Sequence, residues 1–296
     1  MPREFLIIAN PISGGGRSKR QAPKLRDALV ARGQGAELYF TERGGDAGRR
    51  AAEIRPGQYD GVISVGGDGT LNEVLNGLVD PSVPICVLAM GTANVLAFEL
   101  KLPRNPEALA DMLTAGHTRP AAIGLIEGRR FLLFASTGLD ANIVQQVEAV
   151  RTGTLGKWRW VIPALHTVRR WSMKPRRITT EEGTTHDGIT TVVISRVSTY
   201  GGIFALPGDI DIGDGKLHVL AFRQRSRWQY FFAALRALRG RLRLGRDVIH
   251  LTTRSLRVEN PTDYPWQADG DIGGQGDFQV SLDTASARLF VLPPSS

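Results

Sequence analysis

The chain has 296 residues, 42% of them hydrophobic and 22% charged, which suits one large or two ordinary folded domains and excludes disordered, collagen-like and disulfide-stapled classes. Cys86 is the only cysteine, so neither an intramolecular disulfide nor a thiolate cluster for zinc can form. Thirty-seven lysines and arginines against 29 acids give a net charge of +8, which favours polyanions: nucleotide phosphates, nucleic acid or an anionic membrane face. The apolar run near the amino terminus is too short for a signal peptide or a membrane span, so a cytoplasmic protein is expected.

The first 120 residues alternate strand and helix. FLIIAN (Phe5–Asn10) reads as a buried strand, followed by a glycine-rich turn and a helix that Ser18 would open as a capping box with Gln21. AELYFTE is a second strand and Ala47–Glu53 a short helix; DGVISVGG is a third strand that runs into another glycine-rich turn. In TLNEVLNGL, Leu71, Val74, Leu75 and Leu78 share one helix face. VPICVLAM is a fourth strand, GTANVLAFEL starts a helix, and Asn105-Pro106 opens one that Gly116 closes. Strands separated by helices predict a parallel sheet that binds ligands outside the carboxyl ends of its strands. Beyond residue 120, RRFLLFAS, TTVVISRV, KLHVLAF, SLRVEN, FQVSLD and ARLFVLP read as antiparallel strands, interrupted by a basic helix from Ser226 to about Gly240.

Three glycine-rich turns follow strands of the first region: NPISGGG (Asn10–Gly16), GGDGTLNE (Gly66–Glu73) and MGTAN (Met90–Asn94). Glycine lets the backbone approach a phosphate closely, and the helix start that follows adds positive charge. The spacing matches neither a Walker P-loop nor the G-x-G-x-x-G dinucleotide fingerprint, and metalloprotease, serine hydrolase and zinc motifs are missing.

At these residues the chain resembles the diacylglycerol kinase catalytic-domain family, which includes soluble bacterial lipid kinases and is related to sphingosine kinases. NPxSGGG, GGDGT, GTAN, STGLDA (Ser136–Ala141), GDGKL (Gly213–Leu217) and DGD (Asp269–Asp271) occur in the family's order across nearly the whole chain. The resemblance implies an α/β fold: a Rossmann-like parallel-sheet ATP domain and an antiparallel β-sandwich lipid-substrate domain, with the active site in the cleft between them. Expected boundaries are 1–120, with about 285–296 returning, and 121–284. On the nucleotide side, Asn10, Ser13 and Thr41 would hold ATP, and Gly66, Gly67, Asp68, Gly69, Thr70 and Asn72 would wrap the phosphates. Asp68 would sit near their Mg2+, Glu73 would open the next helix, and Thr92 and Asn94 would complete the site.

The resemblance further implies that Asp269 and Asp271 line the acceptor hydroxyl and supply the general base, with Asp271 where the family has Glu. It implies a structural Mg2+ held by Asp214 and by backbone carbonyls, here of Asp211 and Lys216. Val95 and Ala122 stand where the family often has acids of a magnesium–carboxylate network. The function implied is an ATP-dependent lipid kinase acting on a diacylglycerol-like or sphingoid hydroxyl. NAD kinase, which shares GGDGT, and a catalytically weakened lipid-binding protein are the alternatives.

Arg223–Arg246 contains eight arginines and no acid. Its helix carries Trp228, Phe231, Phe232, Leu235 and Leu238 near one face, expected to pack on the sheet domain while the arginines stay in solvent. Those arginines, with the Trp- and base-rich stretch 157–177, make an anionic membrane surface the expected partner rather than nucleic acid, and a peripheral site at the inner membrane face the expected location. A homodimer is left open.

Overall fold

A computed structural model describes residues 2–149, 171–200, 204–224, 226–245 and 248–293. In chain order the elements are β1 (Glu4–Ala9), α1 (Arg17–Ala31), β2 (Gly35–Phe40), α2 (Asp46–Ala52), β3 (Gly61–Gly66), α3 (Asp68–Gly77), β4 (Ile85–Ala89), α4 (Val95–Glu99) and α5 (Pro106–Ala115). There follow β5 (Thr118–Ile126), β6 (Arg129–Phe131), β7 (Phe134–Thr137), α6 (Leu139–Ala149), β8 (Arg176–Thr180), β9 (Thr185–Ile189), β10 (Thr191–Ser195), β11 (Thr199–Tyr200) and β12 (Phe204–Ala205). The remainder are β13 (Leu217–Phe222), α7 (Arg227–Leu238), β14 (Ile249–Thr253), β15 (Ser255–Glu259), β16 (Pro265–Ala268), β17 (Asp271–Gln275) and β18 (Phe278–Phe290). The chain divides into two units, Met1–Ala121 with Thr284–Ser296, and Ala122–Asp283.

The first unit is a parallel sheet in the order β2-β1-β3-β4, extended beside β4 by the end of β18, where Leu289 pairs Ile85. β3 is buried throughout and β1 at all but its first residue, the pattern of strands covered on both faces. α1 turns Ala22, Leu25, Ala28 and Leu29 inward. Cys86 is buried in β4, and its desolvated thiol is pushed up to about 12, so it is an inert core residue. At α5 the expected signals operate: the Asn105 side chain accepts from the Glu107 amide and Gly116 closes the helix at φ 75°.

The start of α1 differs from expectation. Gly16, at φ 85°, is the N-cap, and Ser18 lies within the first turn with its hydroxyl donating to the Val65 carbonyl at 3.0 Å. Ser18 therefore ties α1 to the end of β3 rather than capping its own helix.

The second unit contains two antiparallel layers. One runs β14-β13-β10-β7-β16-β17; the other pairs β9, β8, β15 and the first half of β18. Val192 and Ile194 of β10, Leu217 and Val219 of β13, Ile178 of β8, Leu256 and Val258 of β15 and Val280 of β18 share one buried core, as in a sandwich. The segments FQVSLD and ARLFVLP, expected as separate strands, form the single 13-residue β18.

Helix α7 packs opposite to expectation. Among the described residues Tyr230, Ala233 and Ala237 are buried, with the Tyr230 ring edge-on to Trp171 at 5.1 Å. Trp228, Phe231 and Phe232 instead stand 72%, 51% and 50% exposed. Of the basic 157–177 stretch, residues 157–170 lie outside the described residues, and Trp171 is buried beneath α7 rather than on a surface.

Candidate functional site

In the first unit the turns after β1, β3 and β4 lie against one another. A Cβ added to Gly14 would stand 2.6 Å from the Met90 carbonyl oxygen, and one added to Gly91 would stand 2.6 Å from the Gly67 Cα. Only glycine permits that approach of backbone to backbone. Gly14, Gly15 and Gly16 all have positive φ, and α1 opens without a side-chain cap or an acid in its first turn, so its dipole favours an anion. α3 likewise opens at Gly67 without a side-chain cap, and Gly69 in its first turn has open space around it.

Asn10, Thr41, Thr70 and Glu73, all expected at the nucleotide, line one pocket together with Ile12, Glu42, Arg43 and Gly44, which sequence reasoning missed. The Asn10 side chain accepts from the Ile12 amide at 3.2 Å, and Ser13 donates its own amide to the Asn10 carbonyl at 3.1 Å, so these two shape the first turn. Thr41 is held beside β1 by its amide on the Ala9 carbonyl at 2.9 Å. Asp46 fixes the far wall: both the Glu42 and Arg43 amides donate to its carboxylate, at 2.8 and 3.0 Å, and hold that group below its ordinary range. Gly66 is crowded by the Thr70 side chain, which a Cβ would touch at 2.5 Å.

Other expected nucleotide residues turn inward. Asn72 is buried, with the Asn76 side chain donating to its carbonyl at 2.9 Å and its side-chain oxygen at 3.2 Å. Asn94, at φ 53°, exchanges two 2.8 Å hydrogen bonds with the Gly91 backbone and so clamps the turn that Thr92 belongs to. Asp68 accepts from the Val95 amide at 3.2 Å, capping α4, and burial pushes its carboxyl above the ordinary value against these backbone donors. Val95, where the family often has an acid, is a buried apolar residue.

In the second unit the two acids of the DGD turn have different surroundings. Asp269 is buried at φ 50° and accepts from three consecutive amides, Leu132, Leu133 and Phe134, each at 2.9 Å. Both its oxygens are thereby committed to the β6–β7 connection. Asp271 is half-buried, and the Arg129 guanidinium donates to it at 2.6 Å. The STGLDA segment supplies a third acid: Asp140 accepts from the Ser136 and Tyr200 hydroxyls and from Gln267 at 3.0 Å, and burial raises its carboxyl. Gln267 in turn accepts from the Gly270 amide at 2.8 Å, linking this group to the DGD turn. Arg129, Tyr200 and Gln267 carry no local motif, so the sequence offered no signal for them.

The turn expected to hold a structural cation is built from its own groups. The Asp211 carbonyl accepts from the Asp214 amide at 3.1 Å, its carboxylate accepts from Gly213 at 2.7 Å, and Lys216 donates its amide to Asp214 at 3.0 Å. Asp214 also pairs with Arg196 at 3.1 Å and with His218 at 2.5 Å.

The diacylglycerol kinase catalytic-domain model matches residues 4–126, and the YegS C-terminal NAD kinase beta sandwich-like domain model matches residues 134–291. The chain belongs to the diacylglycerol kinase family. A diacylglycerol kinase of Staphylococcus epidermidis is 27% identical over 277 residues, covering 93% of this chain and 88% of that one. The diacylglycerol kinase of Bacillus subtilis is 27% identical over 279 residues, covering 92% and 91%. A crystal structure of a Bacillus anthracis diacylglycerol kinase shares the fold at a TM-score of 0.75 and 20% identity, covering 98% and 97% of the two chains.

Proposed function

We propose that this lipid kinase uses ATP and magnesium to phosphorylate a hydroxyl of a diacylglycerol-like or sphingoid lipid. Family membership implies a nucleotide donor, and the relatives' name directs the choice of acceptor toward diacylglycerol. The observation that carries the nucleotide half is the mutual approach of the turns after β1, β3 and β4, a backbone cradle with α1 and α3 opening onto it. Phosphate oxygens would meet the first-turn amides there, with Asn10 and Thr41 beside the first turn.

Magnesium binds through one or two carboxylates together with substrate phosphates, so one acid would suffice, and Asp68, in the first turn of α3, would be that acid. When bound, the ion neutralises charge on the transferred phosphoryl group. Asp271 is the better base of the DGD pair. Its carboxylate is partly exposed and ion-paired, whereas that of Asp269 is engaged by three amides. Asp269 would then be a positioning residue that fixes the turn from which Asp271 accepts the hydroxyl proton.

The acceptor reading is tested with terminally labelled ATP, magnesium and micelles of diacylglycerol or a sphingoid base, alongside NAD. Label in a lipid supports the proposal. Label in NAD would establish the NAD kinase alternative, and nucleotide binding without any labelled product would establish a binding protein.

An anionic bilayer is the proposed surface partner, through α7. Among the described residues, none forms a helix long and apolar enough to cross a membrane. The outward Trp228, Phe231 and Phe232 form a chain of edge-on rings, with centroids 6.2 and 5.6 Å apart, on the side of the helix away from Tyr230. Exposed aromatics flanked by Arg227, Arg239, Arg241 and Arg243 suit a headgroup layer. A second copy meeting this face by twofold symmetry would bring arginines against arginines. Co-sedimentation with anionic vesicles that weakens with salt supports this, and equal binding to neutral vesicles would overturn its electrostatic part.

A further inference from the structure

We infer that in this chain the buried guanidinium of Arg196 does the work of a metal ion at the Asp211–Lys216 turn, so that the second unit needs no structural cation. Arg196 follows β10, whose neighbour β13 begins just after that turn; Ser195 and His218 are register partners. The side chain of Arg196 is fully buried at 0% exposure, and it stays cationic despite burial because a guanidinium keeps its proton under all ordinary conditions.

Its three kinds of nitrogen each find an acceptor. Nη1 donates to Asp214 Oδ1 at 3.1 Å, Nη2 to the Ile212 carbonyl at 2.7 Å and Nε to the Ala122 carbonyl at 3.3 Å. A divalent ion on the ligand set expected at this turn would need Asp214 together with the Asp211 and Lys216 carbonyls, at about 2.0–2.6 Å and with lone pairs turned toward it, and it would share the Asp214 carboxylate with the guanidinium. The lone pairs of that carboxylate are turned elsewhere. Asp214 Oδ1 also receives the Lys216 amide at 3.0 Å, and Oδ2 faces His218 Nε2 at 2.5 Å.

A cation seated on Asp214 would therefore lie against a second, fully buried positive charge bonded to the same carboxylate. Coulomb repulsion at such range is far from negligible even with generous screening. The two compete for one carboxylate, and the guanidinium is covalently present. Ala122 fits the same picture. The resemblance would have placed an acid there, but the residue offers the turn its backbone: its amide donates to the Ile212 carbonyl at 3.1 Å and its carbonyl accepts from Arg196. Magnesium would then enter this protein only alongside the nucleotide.

The test is thermal unfolding of the nucleotide-free protein in EDTA and in excess magnesium chloride, for the wild type and Asp214→Asn. The inference predicts the same midpoint for wild type in both solutions. A magnesium-dependent rise that persists in Asp214→Asn reports an ion elsewhere and also agrees with a metal-free turn. A saturable rise that disappears in Asp214→Asn would overturn the inference. Should that variant fail to fold, manganese titration of the wild type decides by itself. Unbroadened His218 ring resonances support the inference, and broadening that excess magnesium reverses would overturn it.

Discussion

The two units of this chain use the same local vocabulary, aspartate and glycine in tight turns, to opposite ends. In the first unit the turns after β1, β3 and β4 meet through backbone: glycines approach glycines, and helices α1 and α3 open without side-chain caps. In the second unit the motif carboxylates are consumed internally, Asp269 by three amides and Asp214 by Arg196, His218 and a backbone amide. Asp271 is the exception, being paired only at its edge with Arg129 and half-buried. An Asp-Gly turn thus specifies a backbone shape, and what lies opposite decides whether its acid is offered to a ligand or spent on the fold.

The contrast can be broken most forcefully at Asp68. Asp68→Asn keeps an oxygen for the Val95 amide but removes the charge, so turnover should fall below detection while the unfolding midpoint stays near wild type. Activity within about threefold of wild type would remove Asp68 from the metal's reach. Next in size is the surface of α7. Replacing Arg236, Arg239, Arg241 and Arg243 by Gln should weaken binding to anionic vesicles by ~1 kcal/mol per charge near the surface, read by co-sedimentation at low salt. Unchanged binding would leave the exposed aromatics without an electrostatic partner.

A smaller effect sharpens the glycine half of the contrast. Gly91→Ala pushes a methyl group into the Gly67 backbone, so the two turns must part. Overpacking of this kind costs about 1–3 kcal/mol, and nucleotide affinity measured by calorimetry should drop by about tenfold. Wild-type affinity in a destabilised Gly91→Ala protein would separate the glycine contact from the nucleotide.

Much of the first unit was legible because its signals are local. Alternating strand and helix patterns, the Asn105-Pro106 start and the Gly116 stop of α5 each act within a few residues. Ser18 misled because a capping motif cannot reveal that the hydroxyl has a better acceptor 47 positions away, at Val65. The strand β18 was split by its polar middle, Asp283-Thr284, although Asp283 is held by Arg130 from a distant strand. For α7 the periodicity identified the faces without ranking them. The stripe that packs is Tyr230, Ala233 and Ala237, whose small residues allow close approach, and it is the less hydrophobic choice. Among the site residues, the glycines were readable and the partners of the acids were not. Arg129 lies 142 positions from Asp271, and the three amides that bind Asp269 lie about as far.

The most direct test of inward against outward carboxylates is to make Asp269→Asn and Asp271→Asn and measure kcat and thermal unfolding on both, with Asp271→Glu beside them. Asp269→Asn exchanges an acceptor-only group for one that cannot satisfy three amides, so stability should fall by on the order of 2–4 kcal/mol. Asp271→Asn should leave the unfolding midpoint near wild type and lower kcat by roughly 10²-fold, with ATP affinity unchanged, and Asp271→Glu should retain activity. An Asp269→Asn protein as stable as wild type yet inactive, beside a fully active Asp271→Asn, would contradict the account and move the base to Asp269.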